Sequence, residues 1–290
     1  MPDSRLPTAA AAALAVRARS RAALDALRGT DEAFTPYLAG LWRPRHSAAA
    51  TAALGADFRV ATYNVHRWAG VRGGKAFMPD RVFSVLGRLD VDVVALQEVL
   101  LPDDAPHLLA DLADATGMHV AFAPARRHKR GELGNALLSR VPIASALAID
   151  LTTSTLEQRA ALAIELPSEA EATPLVSVVA THLALVDRLR HRQVQALLGH
   201  PQLHAPVVLL GDMNAWRQCR ATRHLDASFA GDGGGAASPW PPSYPAPAPV
   251  LALDRIYARG ATVSGLATMQ DASARQASDH LPVTADVRLG

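Results

Sequence analysis

Two polar side chains at the end of an apolar stretch are the first sign of chemistry in this sequence. In VVLLGDMNAW (Val207–Trp216), four apolar residues lead to Gly211, and Asp212 and Asn214 follow. An apolar run bounded by glycine is typical of a buried strand. Side chains two positions apart on a strand point to the same side, so both polar groups would lie at one rim of a sheet. A polar rim beside a buried sheet is where an active site is expected.

The same arrangement recurs elsewhere in the chain. Any single occurrence has an ordinary explanation, because Asn and Asp often form turns after a strand and a lone His is usually a surface or core residue. A set of eight such residues weakens that explanation. The polar residues that end or interrupt an apolar strand are Asn64, Glu98, His182, Asp212, Asn214, Asp254, Asp279 and His280.

These residue types suit metal-assisted hydrolysis of a phosphate ester. Carboxylate and amide oxygens are ligands that Mg²⁺ or Mn²⁺ prefer, which favours Glu98 as the principal ligand with Asn64 and Asp279 beside it. Zinc is disfavoured, since the chain has one cysteine and no HExxH pair of histidines. An aspartate can orient and deprotonate an attacking water. A histidine held by a carboxylate can stabilise the charge that grows on the phosphate oxygens.

Short strands with a few helices among them would position these side chains. Strands are predicted before Asn64 (FRVATY) and up to Glu98 (VDVVALQEV), among others. Helices are predicted over Pro79–Leu89, Ala105–Thr116 and Val186–Leu198, the last with Arg and Gln on its outer face. Many strands without strict βαβ alternation indicate two packed sheets with helices outside.

Two surface loops are also predicted. The stretch RRHKR (Arg126–Arg130) is expected to form a basic loop. Gly231–Gly235 and the proline-rich PWPPSYPAPAP are expected to form a long loop that exposes Trp240 and Tyr244.

Composition indicates a globular protein of 290 residues with 49% apolar and 19% charged residues. The net charge of +2 and the pI near 9.0 permit a polyanionic partner without requiring one. Cys219 is the only cysteine, so no intrachain disulfide forms. No apolar run reaches the roughly 18 residues of a membrane helix, so no transmembrane segment is predicted.

The first 56 residues differ from the rest because they are rich in Ala and Arg, with a helix predicted over Thr8–Leu27. This extension is expected to pack on the main domain or to act as a mobile arm, and the alternative is a basic helix that contacts an acidic partner. The run Ala9–Val16 is short and followed by arginines, which disfavours a signal peptide. We therefore expect a cytoplasmic location.

Seven motifs resemble those of the endonuclease/exonuclease/phosphatase superfamily, whose members include DNase I, abasic-site endonucleases, neutral sphingomyelinases and inositol polyphosphate 5-phosphatases. The motifs occur in the family's order and span about four fifths of the chain. The resemblance implies a DNase I-like fold: a four-layered α/β sandwich of two mixed β-sheets face to face with helices outside. It also divides the chain into an extension, 1–56, and a catalytic domain, 57–290. The motifs are TYNVH (Thr62–His66), LQEV (Leu96–Val99), GNALLSR (Gly134–Arg140), ATHL (Ala180–Leu183), GDMNA (Gly211–Ala215), LDRIY (Leu253–Tyr257) and SDHLPV (Ser278–Val283).

The resemblance implies a role for each residue of the metal and water sites. Glu98 looks like the family's Mg²⁺-binding glutamate, with Asn64 beside it and Asp279 as the second acidic residue of the metal pocket. Asp212 looks like the aspartate that activates or orients water. Asn214 looks like the asparagine that holds phosphate or metal.

The resemblance also implies phosphate-facing residues. His280 looks like the histidine that faces the scissile phosphate, and Asp254 like the aspartate that orients it. His182 matches the second such histidine of the DNase I and sphingomyelinase branches, which counts against the abasic-site branch. Arg159 matches an arginine that reaches a phosphate oxygen, with a surface arginine as the alternative, and Asn135 is expected to bind phosphate.

Resemblance to the superfamily indicates the type of reaction but leaves the substrate open. The basic stretch Arg126–Arg130 and the pI favour a nuclease acting on DNA or RNA, although aromatic residues are only 5%. The alternative is a sphingomyelinase-like lipid or head-group phosphodiesterase, favoured by His182, the E-x-R motif at Glu157–Arg159 and the aromatic loop. A phosphomonoesterase and a catalytically dead binding protein are less favoured. The sequence indicates no protein partner.

Overall fold

The computed structural model describes residues 36–38, 40–45, 52–153, 157–170, 174–230 and 239–290. In these ranges the chain forms thirteen strands, five α-helices and two short 3-10 helices. The helix predicted over Thr8–Leu27 and the stretch Gly231–Gly235 lie outside the described residues. The helices are α1 (Pro79–Leu86), α2 (Leu108–Thr116), α3 (Asp187–Leu198), α4 (Arg220–Ser228) and α5 (Ala272–Ala277), with 3-10 helices at His66–Trp68 and Pro201–Leu203. The strands are β1 (Pro36–Leu38), β2 (Gly40–Trp42), β3 (Asp57–Asn64), β4 (Val93–Pro102), β5 (His119–His128), β6 (Gly131–Ser139), β7 (Ser145–Asp150), β8 (Ala160–Pro167), β9 (Leu175–His182), β10 (Val207–Asp212), β11 (Asp254–Arg259), β12 (Ala261–Thr268) and β13 (Val283–Leu289).

The strands form two mixed sheets. The first sheet has six strands in the order β1-β7-β8-β9-β10-β11, and the second has seven in the order β12-β13-β3-β4-β6-β5-β2. Each sheet contains one parallel pair, β9 with β10 in the first and β3 with β4 in the second. Residues 36–38 and 40–42 supply one edge strand to each sheet, because β1 pairs with β7 and β2 pairs with β5.

Strand β10 illustrates how the layers are held together. Its alternate side chains point to opposite faces of the sheet. Val208 and Leu210 belong to the apolar core between the two sheets, whereas Val207 and Leu209 pack with residues of α3 and α4 on the outer face. Helices α1, α2 and α5 cover the outer face of the second sheet in the same way. The predicted four-layered α/β sandwich is therefore confirmed.

A hairpin of β5 and β6 contains most of the predicted basic loop. Arg126–His128 belong to β5, and Lys129 and Arg130 form the turn. The loop prediction was wrong for the first three residues because cross-strand pairing accommodates their charge. Arg127 lies opposite Glu132 and forms an ion pair with Asp103.

The aromatic residues near 240 pack on the protein. The ring centroids of Trp240 and Tyr257 lie 5.1 Å apart, and those of Tyr244 and His280 lie 4.9 Å apart. Both Trp240 and Tyr244 are half-buried. The prediction that the loop exposes them is wrong, because contact with the core removes their apolar rings from water. In the described ranges, no helix is both long enough and apolar enough to cross a bilayer.

Candidate active site

Strand register brings three of the predicted residues side by side. In β10, Asp212 lies opposite His182 of β9 and opposite Asp254 of β11. Asn64 ends β3 in the other sheet, and its Nδ2 donates to Oδ2 of Asp212 at 3.1 Å. The edges of both sheets therefore converge on Asp212.

The Asp212 carboxylate points between two imidazole rings. Its Oδ2 lies 3.5 Å from Nε2 of His182 and 3.8 Å from Nε2 of His280. Its Oδ1 accepts the backbone N–H of Asn214 at 2.8 Å. Asn214 has a left-handed backbone (φ 50°), and its Nδ2 donates to the Leu183 carbonyl at 2.8 Å. The loop after β10 is thus fastened to the loop after β9.

His280 is surrounded by carboxylates. Its Nδ1 lies 2.8 Å from Oδ2 of Asp254, and the same oxygen accepts a hydrogen bond from Ser243 Oγ at 2.6 Å. Burial by itself lowers the pKa of His280, but Asp254, Asp212 and Asp279 outweigh it and raise the pKa to about 10. At neutral pH this ring is therefore an imidazolium.

His182 is completely buried and has arginines as well as Asp212 near it. Complete burial and the charge of Arg159 lower the pKa of His182 to about 3, and the opposing effect of Asp212 is too weak to restore it. At neutral pH this ring is therefore neutral. One charged and one neutral imidazole face the same carboxylate oxygen.

Glu98 and Asp279 form a second acidic group beside these residues. Burial, together with the charge of Glu98, raises the pKa of Asp279 against the opposing effects of His280 and His66. Asp279 Oδ1 lies 3.3 Å from Nδ1 of His66. Oε2 of Glu98 lies 3.3 Å from Nη1 of Arg67 and accepts no hydrogen bond although it is buried. Two carboxylates that repel each other leave a place that a cation would stabilise.

The backbone is strained at this acidic group. Glu98 has φ 53° and lies at a register shift between β4 and β6. His66, Arg67 and Trp68 have φ values of 45°, 56° and 62°. Residues other than glycine rarely adopt this left-handed region, and strain of this kind is concentrated at functional sites. The bulge turns the Glu98 side chain away from the direction that regular pleating would give it.

Comparison with known proteins decides the family. The sequence profile of the Endonuclease/Exonuclease/phosphatase family matches residues 61–280. The chain belongs to this family. Members generally use a divalent metal, and the family fold implies a hydrolase that acts on phosphoester bonds.

Several relatives of this endonuclease/exonuclease/phosphatase family protein cover most of the chain. Uncharacterized protein YbhP of Escherichia coli K12 is 28% identical over 255 residues, which is 80% of this chain and 97% of YbhP. An endonuclease/exonuclease/phosphatase from Beutenbergia cavernae has a TM-score of 0.64 and 23% identity, covering 81% of this chain and 72% of that chain. The structure of the human Nocturnin catalytic domain with bound sulfate has a TM-score of 0.63 and 21% identity, and the match covers 87% of this chain and 97% of that chain. The two structures share the fold.

Two groups of side chains could hold a divalent ion in this family member. Ligand atoms of Asp212, Asp254 and His280 lie within 4.8 Å of one another. However, Asp254 and His280 are already joined by a hydrogen bond, and a protonated imidazole is not a metal ligand. Glu98 and Asp279 fit a hard cation better, since both offer oxygen ligands and Glu98 Oε2 accepts no hydrogen bond.

Arg159 and Asn135 line the pocket next to His182. The Arg159 side chain is 15% exposed and its Nη2 lies 3.0 Å from Glu157 Oε1, so the alternative of a free surface arginine does not describe it. Asn135 Nδ2 donates to the Ala160 carbonyl at 2.6 Å. That bond joins β6 to β8 and uses one of the two N–H groups of Asn135 Nδ2.

Several residues that support the site are not among those predicted from the sequence. Ser243 and Tyr244 contact Asp254 and His280, and Arg67 pairs with Glu98. The sequence carried no signal for Ser243 or Tyr244, because residue types do not show which side chains of a loop pack against a neighbouring strand. Arg67 follows the TYNVH motif directly, which could have drawn attention to it.

The prediction that the arginines and glutamines of α3 lie on its outer face is wrong for Arg190 and Gln193, which are buried. Arg190 and Gln193 are 4% and 0% exposed. Arg190 Nη1 donates to the carbonyls of Ala184 at 2.9 Å and Asn214 at 2.6 Å, and therefore ties together the loops after β9 and β10. Its spacing from Val194 and Leu197 places it on the apolar face of the helix, which was the available signal.

Proposed function

We propose that this protein hydrolyses phosphodiesters with the help of a divalent metal, and that its substrate is DNA or RNA. The observation that carries the proposal is the pair of imidazoles around Asp212, one charged and one neutral, beside the Glu98–Asp279 pair. Titratable groups whose pKa values are driven apart are typical of acid–base sites.

In the proposed reaction, Asp212 orients the attacking water and accepts its proton. The hydrogen bond from Asn64 and the backbone N–H of Asn214 hold the carboxylate in one orientation. Its position beside both histidines places the water next to the groups that would contact the phosphate. Asn214 Oδ1 completes the rim on the β10 side.

The two histidines would contact the phosphate oxygens in different ways. His280 brings a positive charge, which stabilises the negative charge that develops in the transition state. Asp254 and Ser243 keep its ring in one orientation. Neutral His182 donates one hydrogen bond from Nε2, and Arg159 and Asn135 extend the phosphate-binding wall beyond it.

Glu98 and Asp279 would hold Mg²⁺ or Mn²⁺, with Asn64 beside them. Their oxygen ligands and the repulsion between the two carboxylates support a hard divalent cation at this position. The ion, when bound, would supply a Lewis acid for the phosphate oxygens.

The cationic pocket beside His182 supports a nucleic acid as the substrate, because Arg126 and Arg159 both line it. A sphingomyelinase-like activity is the second candidate. Trp240 and Tyr244 do not support it, since they are packed on the protein. It is favoured instead by three exposed apolar residues on the loops after β9 and β10: Leu185, Val186 and Trp216, exposed by 60%, 55% and 56%.

The test is a substrate panel in Mg²⁺ or Mn²⁺ that contains plasmid, single-stranded DNA, RNA, sphingomyelin and bis(4-nitrophenyl) phosphate. We expect cleavage of nucleic acid and of the aryl ester, and loss of both with EDTA. If nucleic acid stays intact while sphingomyelin is hydrolysed, the nuclease proposal is wrong and the sphingomyelinase-like activity is supported. Turnover that persists after chelation would refute the metal requirement.

A further inference from the structure

The pocket beside His182 has a cationic side, formed by Arg126 and Arg159. It is lined by residues of β4, β5, β6 and β9 and by the start of β8 with the two residues before it, and neither Asp212 nor His280 is among the lining residues. This side of the pocket therefore lies next to the reaction centre without containing the water-activating residue. The polar lining residues are Glu98, Arg126, Asn135, Gln158, Arg159 and His182.

Arg126 has an unusual environment for an arginine. It follows a register shift between β5 and β6, which turns its side chain relative to regular pleating. It is half-buried, and among the described residues no carboxylate lies within ion-pair distance of it. The next residue, Arg127, is paired with Asp103 and has a side chain that is 63% exposed. A partly desolvated cation without a counter-ion is costly, so Arg126 is suited to an anion from outside the chain.

Arg159 offers a second donor in the same place. One of its terminal nitrogens binds Glu157, whose Oε1 also accepts the backbone N–H of Leu185. Its Nε is buried and donates no hydrogen bond. Buried donors are nearly always paired in proteins, so this N–H lacks an acceptor that a ligand would supply. Burial is the main cause of the lowered pKa of His182, and the charges of Arg159 and Arg126 lower it further, which agrees with the positions of both arginines.

We propose that Arg126 and Arg159 form a subsite for a second phosphate of the substrate, adjacent to the phosphate that is cleaved. This inference rests on the proposed function and narrows its substrate class. A nucleic acid strand carries a phosphate on either side of each nucleoside, so it supplies both groups. The phosphocholine head group of sphingomyelin carries a cation beside its single phosphate, which two arginines would repel.

The experiment compares two nucleotides that differ by one phosphate, thymidine 3′,5′-bisphosphate and thymidine 5′-monophosphate. Their dissociation constants are measured by calorimetry with Mg²⁺ for the wild-type protein, Arg126→Ala and the matched control Arg127→Ala. We expect the wild type and Arg127→Ala to bind the bisphosphate about tenfold more tightly, as one charged hydrogen bond would give. Arg126→Ala should lose most of this preference, because only Arg159 is left to contact the second phosphate.

Equal affinities in the wild-type protein would overturn the subsite. So would a preference for the bisphosphate that is undiminished in Arg126→Ala, given a thermal unfolding curve that shows this variant folded. The outcome is separable from that of the proposed function. If no phosphodiester is hydrolysed but the bisphosphate preference depends on Arg126, the subsite stands and the proposed reaction is wrong.

Discussion

His182 and His280 present the same atom, Nε2, to the same oxygen of Asp212, yet their protonation states differ. His280 is buried among Asp254, Asp212 and Asp279, and its pKa is raised to about 10. His182 is equally buried but lies near Arg159 and Arg126, and its pKa is lowered to about 3. Burial penalises the charged form of both rings, so the neighbouring charges decide which ring is an imidazolium. Two identical residues thus have different protonation states.

The largest expected effect follows from removing the group that both histidines face. Asp212→Asn keeps the shape of the side chain but cannot accept the proton of water, so turnover should fall roughly 10²- to 10⁴-fold. The measurement is the hydrolysis rate of bis(4-nitrophenyl) phosphate, with thermal unfolding as the check on the fold. Wild-type turnover in this variant would mean that another residue activates the water.

Substitution of each histidine should lower turnover by a different factor. His280→Ala removes a buried charge and should lower turnover about 10²- to 10³-fold. His182→Ala removes a neutral hydrogen-bond donor and should lower it roughly tenfold. Single-turnover rates of the two variants on one substrate provide the comparison. Equal losses would contradict the assignment of different charges.

The acidic group beside the histidines should bind metal in competition with Arg67. The Arg67 guanidinium lies 3.3 Å from Glu98 Oε2, where a cation would also be attracted. Because this pair is partly exposed, its removal in Arg67→Met should tighten Mn²⁺ binding by about tenfold at most. Calorimetry measures the affinity, and exposed Arg72 supplies the control variant Arg72→Met. Weaker binding in Arg67→Met would show that Arg67 supports the metal site.

The smallest effect concerns stability against pH. The raised pKa of His280 gives a stabilising contribution that is complete below the unfolded value near 6.5 and is lost as pH rises through about 10. The lowered pKa of His182 acts in the opposite direction, because between pH 6.5 and about 3 only the unfolded state binds this proton. Melting temperatures of His182→Gln should therefore fall less between pH 8 and pH 5 than those of the wild type. A steeper fall would show that the pKa of His182 is not lowered by folding.

Much of the fold followed from local pattern. Apolar runs such as VVLLGD predicted buried strands because each face of a strand in a layered protein must pack against another layer. The gathering of polar side chains at strand ends was also predictable, since neighbouring strands bring their ends to one edge. The helix predicted from Ala105 begins instead at Leu108, after a turn. Boundaries of this kind depend on local hydrogen bonding that residue types do not specify.

The sequence by itself determined the family, the layered architecture and the set of polar residues that meet at the site, because strand patterns and residue types are local properties. Only the tertiary structure decided which charges surround each of these residues. The burial of Arg190 beneath the Asn214 loop, the packing of Tyr244 on His280 and the pairing of Arg67 with Glu98 all join distant segments or depend on the packed environment. The different protonation of His182 and His280 arises in the same way, since Coulomb interactions depend on distance in space and on burial.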